Sequence, residues 1–176
     1  HYSPEDILDC DTFAEIDGFI LRWITQRLLN EDTGAKLRNL DILAICVERC
    51  KKHFGRVYQD QYQMLTSAFH IIGAANYSCP DDMENIVKQY RNTDCLIDGY
   101  YRSFYYFYDQ ISDTTSYEKL RDLVENVYTN EYLGKVMSKW NSALSSASAM
   151  TALPLQRNFF NNYIRSSKDK VIVIIS

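Results

Sequence analysis

Chain breakers are scarce here: the sequence holds three prolines and six glycines in 176 residues. Loop-rich and all-β designs use both residues freely at their turns, so the shortage points to long regular elements. No apolar stretch approaches the roughly 20 residues that a membrane span needs, and no signal-peptide apolar region is present. Basic excess is missing too. Nineteen Lys and Arg stand against 23 Asp and Glu, giving a net charge of −4 and a pI near 5.4. That balance argues against a general nucleic-acid binder, which carries a basic face. The five cysteines, Cys10, Cys46, Cys50, Cys79 and Cys95, are odd in number and scattered. They suit a reducing cytoplasm better than a disulfide framework. Neither a G-x-S-x-G elbow, a P-loop nor an H-E-x-x-H motif occurs. The first residue is His1 rather than Met, the expectation being an N-terminus that was cut, tagged or excised from a longer chain.

What the chain does hold is helical periodicity. Hydrophobic residues make up 46% and charged residues 24%, as in an ordinary soluble domain of this length. Ser3-Pro4-Glu5-Asp6 starts a first helix. Phe13, Ile16, Ile20, Trp23, Ile24 and Leu28 recur at three- and four-residue steps over 12–30, predicting one buried face. Gly18 interrupts that helix at a cost of about 1 kcal/mol, for which close helix packing is one reason. A second helix spans 40–53, with Gly55 as its C-terminal stop. A third spans 56–75, with Tyr58, Tyr62, Leu65, Phe69 and Ile72 on one side. Pro80, Asp81 and Asp82 open a fourth that reaches Arg91, the carboxylates offsetting the helix dipole. Thr93 or Asp94 caps a fifth, ending at Gln110 or Ile111. Leu120, Leu123, Val124 and Val127 mark the next, and Tyr132, Val136, Met137 and Trp140 another over 131–144. A small, polar linker then leads to a last helix over 155–164 and a β-branched run, VIVII, at 171–175.

The fold class is therefore all-α. Short connections favour antiparallel neighbours in a multi-helix bundle or helical-hairpin array of about seven helices, with one C-terminal β-strand. The expected organisation is a helical domain over 1–152, followed at 153–176 by a helix and a strand leading elsewhere.

Residues with chemical potential are few. Cys46, Cys50 and His53 fall at i, i+4 and i+7, and thiolates with imidazole bind zinc. A structural site takes ligands from more than one element, however, and cysteine is among the most buried residue types, so a packed helix face is the favoured reading. The segment YYRSFYYFYDQ places Tyr100, Tyr101, Phe104, Tyr105, Phe107 and Tyr108, with Tyr106, around most of a helix. It reads as core plus domain interface, as a docking surface for a protein partner, or as a stacking platform for single-stranded nucleic acid. Only Arg102 supplies positive charge locally, which weakens the last reading. Asp9 with Asp11 reads as a turn and cap, and His70 as a core histidine. No residue is assigned a catalytic, cofactor-binding or metal-ligating role.

The end of the chain, LPLQRNFFNNYIRSSKDKVIVIIS, resembles the PglZ family of type A found in BREX phage-resistance systems, in which a similar helix precedes a strand reading VIVIISDALRYE. The resemblance continues through ILDCDTFAEIDGFILRWITQRLL, AANYSCPDD, YRSFYYFYDQI and LRDLVENVYTNEYLGK, and so covers practically the whole chain. It implies a helical accessory region just upstream of an alkaline-phosphatase-like catalytic domain, a doubly wound α/β sheet holding two divalent, zinc-type metal ions. The first metal-binding Asp of that domain would follow Ser176, at the carboxyl edge of the sheet. No family ligand or nucleophile can then be carried onto a position of this chain. The resemblance implies a fragment without catalysis of its own, from a cytoplasmic metal-dependent phosphohydrolase. Its implied partners are the downstream catalytic domain, other BREX components and, through the assembled system, DNA, with no membrane involved. The rival expectations are a self-sufficient helical protein–protein interaction module and a DNA-contacting module.

Overall fold

The structure, a computed structural model, describes residues 4–30, 41–145 and 158–165. These form α1 (Pro4–Asp9), α2 (Glu15–Leu28), α3 (Ile42–Lys51), α4 (Gln59–Ile72), α5 (Met83–Gln89), α6 (Cys95–Tyr108), α7 (Glu118–Asn126) and α8 (Gly134–Leu144). Among the described residues there is no strand, in keeping with the all-α expectation. The expected strand at 171–175 lies outside the described residues, as do 146–157 with the linker and the start of the last expected helix. The part of that helix that is described winds as a wide π-turn, Phe160–Ile164.

Two helix starts are set by aspartate caps. Asp41 accepts from the Ala44 N–H at 3.1 Å ahead of α3. Asp82 accepts from the Asn85 N–H at 2.9 Å ahead of α5. Each satisfies a backbone donor that the helix itself leaves open.

The expected cap at Thr93 or Asp94 does not form. A π-turn over Tyr90–Asp94 carries α5 straight into α6, and another over Val127–Leu133 carries α7 into α8. Neither segment contains proline or glycine, so nothing breaks the helix. The wider turn absorbs the residues that do not fit the 3.6-residue period. Thr93 Oγ1 donates to the Gln89 carbonyl at 3.0 Å, and the Asp94 side chain is buried rather than capping.

The core is organised around α4, which packs against α2, α3, α6 and α7. Tyr62, Met64, Leu65, Ala68 and Ile71 are all fully buried. A helix contacted on so many sides buries more than the single stripe expected, and Met64, Ala68 and Ile71 join it. Phe69, expected on the buried side, is instead at the margin, 36% exposed. A smaller cluster joins Met83 and Ile86 of α5 to Ala143 of α8, with Trp140 and Cys79 against it.

Two glycines differ in role. A Cβ at Gly55 would lie 1.8 Å from the Arg49 carbonyl oxygen, so the chain passes directly over the end of α3 only because no side chain is there. A Cβ at Gly18 would meet nothing within 4 Å. Close packing therefore does not explain Gly18, which borders a polar cleft of about 640 Å³ between α2 and the start of α7.

Candidate functional site

Three features concentrate the chemistry of this unit: a buried ion pair, a tyrosine–carboxylate seam and an apolar groove. The ion pair joins α2 to α3. Arg49 Nε donates to Asp17 Oδ1 at 2.9 Å, and Nη2 donates to Oδ2 at 2.8 Å. Tyr62 Oη donates to the same Oδ1 at 2.5 Å, and burial pushes the phenol's pKa well up, with the aspartate bond adding to it. Arg49 Nη1 donates to the Leu8 and Cys10 carbonyls at 2.9 and 2.6 Å. Nearby, Asp11 accepts the His53 N–H at 2.7 Å and the Phe54 N–H at 3.1 Å, which hold its carboxyl below the usual range. The α1–α2 elbow is thus tied to the end of α3 by buried charge and by a carboxylate clasp. Sequence reasoning assigned Asp11 to a cap but passed over Asp17 and Arg49. The available signal was position: Asp17 lies one turn before Ile20 and Arg49 one turn after Cys46, each on a core-facing stripe.

Cys46 and Cys50 stay one turn apart on α3, while His53 falls outside the helix. Cys46 is buried, and burial pushes its thiol up to about 12. Cys50 is half-buried and also raised, again chiefly by burial. His53 lies beyond the last residue of α3, exposed, its ring edge-on to Phe54 at 4.9 Å. Among the described residues no cluster of three His, Cys, Asp or Glu side chains is arranged to hold a metal.

The tyrosine-rich helix is α6, and its rings mesh with the segment around the second π-turn. Tyr101 stacks on Tyr128 with centroids 3.7 Å apart and planes 9° off parallel. Tyr101 and Tyr105 both donate to Glu125 Oε2 at 2.7 Å, holding that carboxyl below its ordinary value. Tyr90 and Tyr128 donate to the two oxygens of Asp98 at 2.6 and 3.1 Å. Tyr77 donates to Asp94 Oδ2 at 2.5 Å and Thr93 to Oδ1 at 2.9 Å, while Tyr132 reaches the Asp94 carbonyl at 3.3 Å. Burial and these carboxylates raise the phenol pKa values of Tyr77, Tyr105 and Tyr128, the last to about 12.

Of the candidate interaction residues, Phe104 and Tyr108 are buried in the core, and Tyr100, Tyr101, Tyr105 and Phe107 are half-buried. Tyr106 faces outward. Tyr100 stacks on His70 at 4.1 Å. His70 is half-buried, which lowers its pKa. What this arrangement does chemically is clamp α6 to the following helix through neutral phenols and ionised carboxylates, a strong class of hydrogen bond.

The groove lies between α1 and α2, with a volume of about 860 Å³, and Ile7, Cys10, Phe13, Ile16, Phe19 and Trp23 line it. Phe13, expected in the core, is 62% exposed here, and Phe19 is 52% exposed. Among the described residues no helix is long and apolar enough to cross a membrane.

No protein-family model matches the chain, and no solved structure matches it. Two curated relatives do. It is 31% identical over 186 residues to "Alkaline phosphatase-like protein PglZ" of Bacillus cereus (strain H3081.97), covering 98% of this chain and 21% of the relative. It is 27% identical over 198 residues to "Alkaline phosphatase-like protein BrxZ" of Escherichia coli O9:H4 (strain HS), covering 100% of this chain and 23% of the relative. The aligned region takes in the capped helices, the seam tyrosines and the groove alike, and the chain, spanning about a fifth of the length of these relatives, is similar over nearly its whole length to proteins named PglZ and BrxZ.

Proposed function

We propose that this chain is a helical accessory domain of a PglZ-like, metal-dependent phosphohydrolase acting in cytoplasmic BREX anti-phage defence, and that it is not itself the catalyst. One observation carries the reading. Nearly the whole chain aligns with about a fifth of relatives named alkaline phosphatase-like, yet the described residues form helices closed around α4. A doubly wound α/β sheet places its ligands at the carboxyl ends of its strands, an architecture different from this one.

In the full-length protein, paired divalent ions of zinc type would polarise the phosphoryl group and activate the attacking oxygen. The described residues here do not fit such a pair, since no group of three His, Cys, Asp or Glu side chains among them is placed to hold a metal ion, and no step is assigned to them. The domain supplies a rigid surface to the downstream catalytic domain, to other BREX components and, through the assembled system, to DNA.

The test compares turnover of p-nitrophenyl phosphate by the full-length protein and by the 176-residue chain, with zinc and with chelator. Chelator-sensitive turnover by the full-length protein alone is expected. Metal-dependent turnover by the short chain would refute the accessory role, and an inert full-length protein would refute the phosphohydrolase. A second reading, a self-sufficient protein–protein interaction module, is favoured by the exposed groove, and its discriminator is whether that groove is still open in the full-length protein.

A further inference from the structure

Helix α2 is apolar on two sides. Ile20, Leu21, Ile24 and Leu28 point into the core. Ile16, Phe19 and Trp23, joined by Phe13, Ile7 and Cys10, face the groove. Leaving such rings in water costs about 25 cal/mol for each Å² of apolar surface, and a contiguous exposed apolar patch marks an interaction site. Among the described residues no charged side chain lines this one; the Arg22 guanidinium stands 5.8 Å from the centre of the Phe19 ring.

The groove is also built rather than incidental. Arg49 grips the carbonyls of Leu8 and Cys10 while bound to Asp17, and Asp11 grips the backbone after α3. Both walls are therefore fixed before anything docks, which reduces the ordering cost of binding.

A preformed surface whose described lining is uncharged calls for an apolar occupant. The two relatives extend over several times the length that this chain spans, so most of the apolar surface of such a polypeptide lies beyond the aligned fifth. We infer that the α1–α2 groove is the seat on which the rest of the full-length protein packs, through aliphatic or aromatic side chains, so that this face carries the interdomain contact and the tyrosine seam of α6 does not. The inference rests on the accessory-domain reading.

Cys10 provides the readout, since it lines the groove as a free, half-buried thiol, with the half-buried Cys95 of α6 as the internal reference. N-Ethylmaleimide labelling, followed by peptide mass spectrometry, is carried out on the full-length protein over a range of concentrations down to the monomer and on the 176-residue chain. Cys10 should react about tenfold or more slowly in the full-length protein, as expected of a thiol exposed only by local opening, with Cys95 unchanged between the two. A full-length Phe13→Asp, Phe19→Asp variant should regain the fast rate. The same pair of changes should leave the melting of the short chain nearly unmoved, because both rings are exposed there.

Equal Cys10 rates in the two proteins would overturn the inference and leave the groove to a separate partner. Protection that disappears on dilution to monomer would overturn it in favour of a second copy. Protection already present in the short chain would place the occupant within these 176 residues. None of these outcomes bears on phosphate-ester turnover, so failure here and failure of the phosphohydrolase reading are distinguishable.

Discussion

Arg49 and Asp17, 32 residues apart in sequence, form a two-pronged ion pair whose side chains are 1% and 0% exposed. Tyr62 and two backbone carbonyls complete its hydrogen bonding. Removing one partner leaves a buried charge unmatched, which costs about 3–5 kcal/mol. Asp17→Ala and Arg49→Leu should each lower the unfolding free energy by that much, read as a fall in the urea midpoint with the slope of the transition unchanged. Because the two charges share one network, the paired change Asp17→Ala, Arg49→Leu should cost less than the sum of the two single replacements. Strict additivity would show that the pair is not coupled.

The two contrasting glycines make opposite predictions. Gly55→Ala drives a methyl into the Arg49 carbonyl, and the backbone itself must shift; a loss of about 1–3 kcal/mol is expected, as for an overpacked interior. Gly18→Ala meets open space and should gain up to about 1 kcal/mol from helix propensity. Thermal melting separates the signs, and a destabilised Gly18→Ala would indicate that the neighbouring cleft holds something.

The pH dependence of stability should fall off on both limbs. Asp11, held by two backbone N–H groups, and Glu125, held by two phenols, have folded pKa values below their unfolded ones. Their contribution is full above the unfolded carboxylate range and is lost as pH falls through the folded values. Tyr77, Tyr105 and Tyr128 have raised folded values. Their contribution is present below the unfolded tyrosine pKa and is lost as pH rises through the folded values. Urea melts from pH 3 to 11 check this (about the span of the two unfolded ranges). Glu125→Gln should flatten part of the acid limb, and an unchanged limb would remove Glu125 from the account.

Cys46 should be chemically silent. Its thiol is pushed up to about 12 by burial, and only the thiolate is a competent nucleophile. Alkylation at mildly alkaline pH should reach Cys46 only through unfolding, with a rate that climbs with urea alongside the loss of helical circular dichroism. Rapid labelling in native buffer would contradict its burial.

Periodicity was enough to locate the helices, because each amphipathic stripe is written locally. Ile20, Ile24 and Leu28 lie in the core where the spacing of α2 puts them. Periodicity failed at Phe13, which precedes the helix and falls on the groove side. It failed again at Thr93 and Asp94, where polar residues that look like a cap ride through a π-turn. The tyrosine helix was conspicuous by composition, but its carboxylate partners were not, since Glu125 lies 24 residues from Tyr101.

The sequence by itself determined that the chain is helical, where most of its helices start and stop, and, through alignment of nearly all of it with two relatives, which proteins it is similar to. Those properties depend on neighbours three or four residues away, or on the order of residues alone. Only the tertiary structure decided that Asp17 finds Arg49, that Tyr101 lies on Tyr128, and that α2 keeps one apolar side in the core and leaves another on a groove. A helix with two apolar faces looks the same in sequence whichever face its neighbours cover, and only the packing around α4 makes that choice.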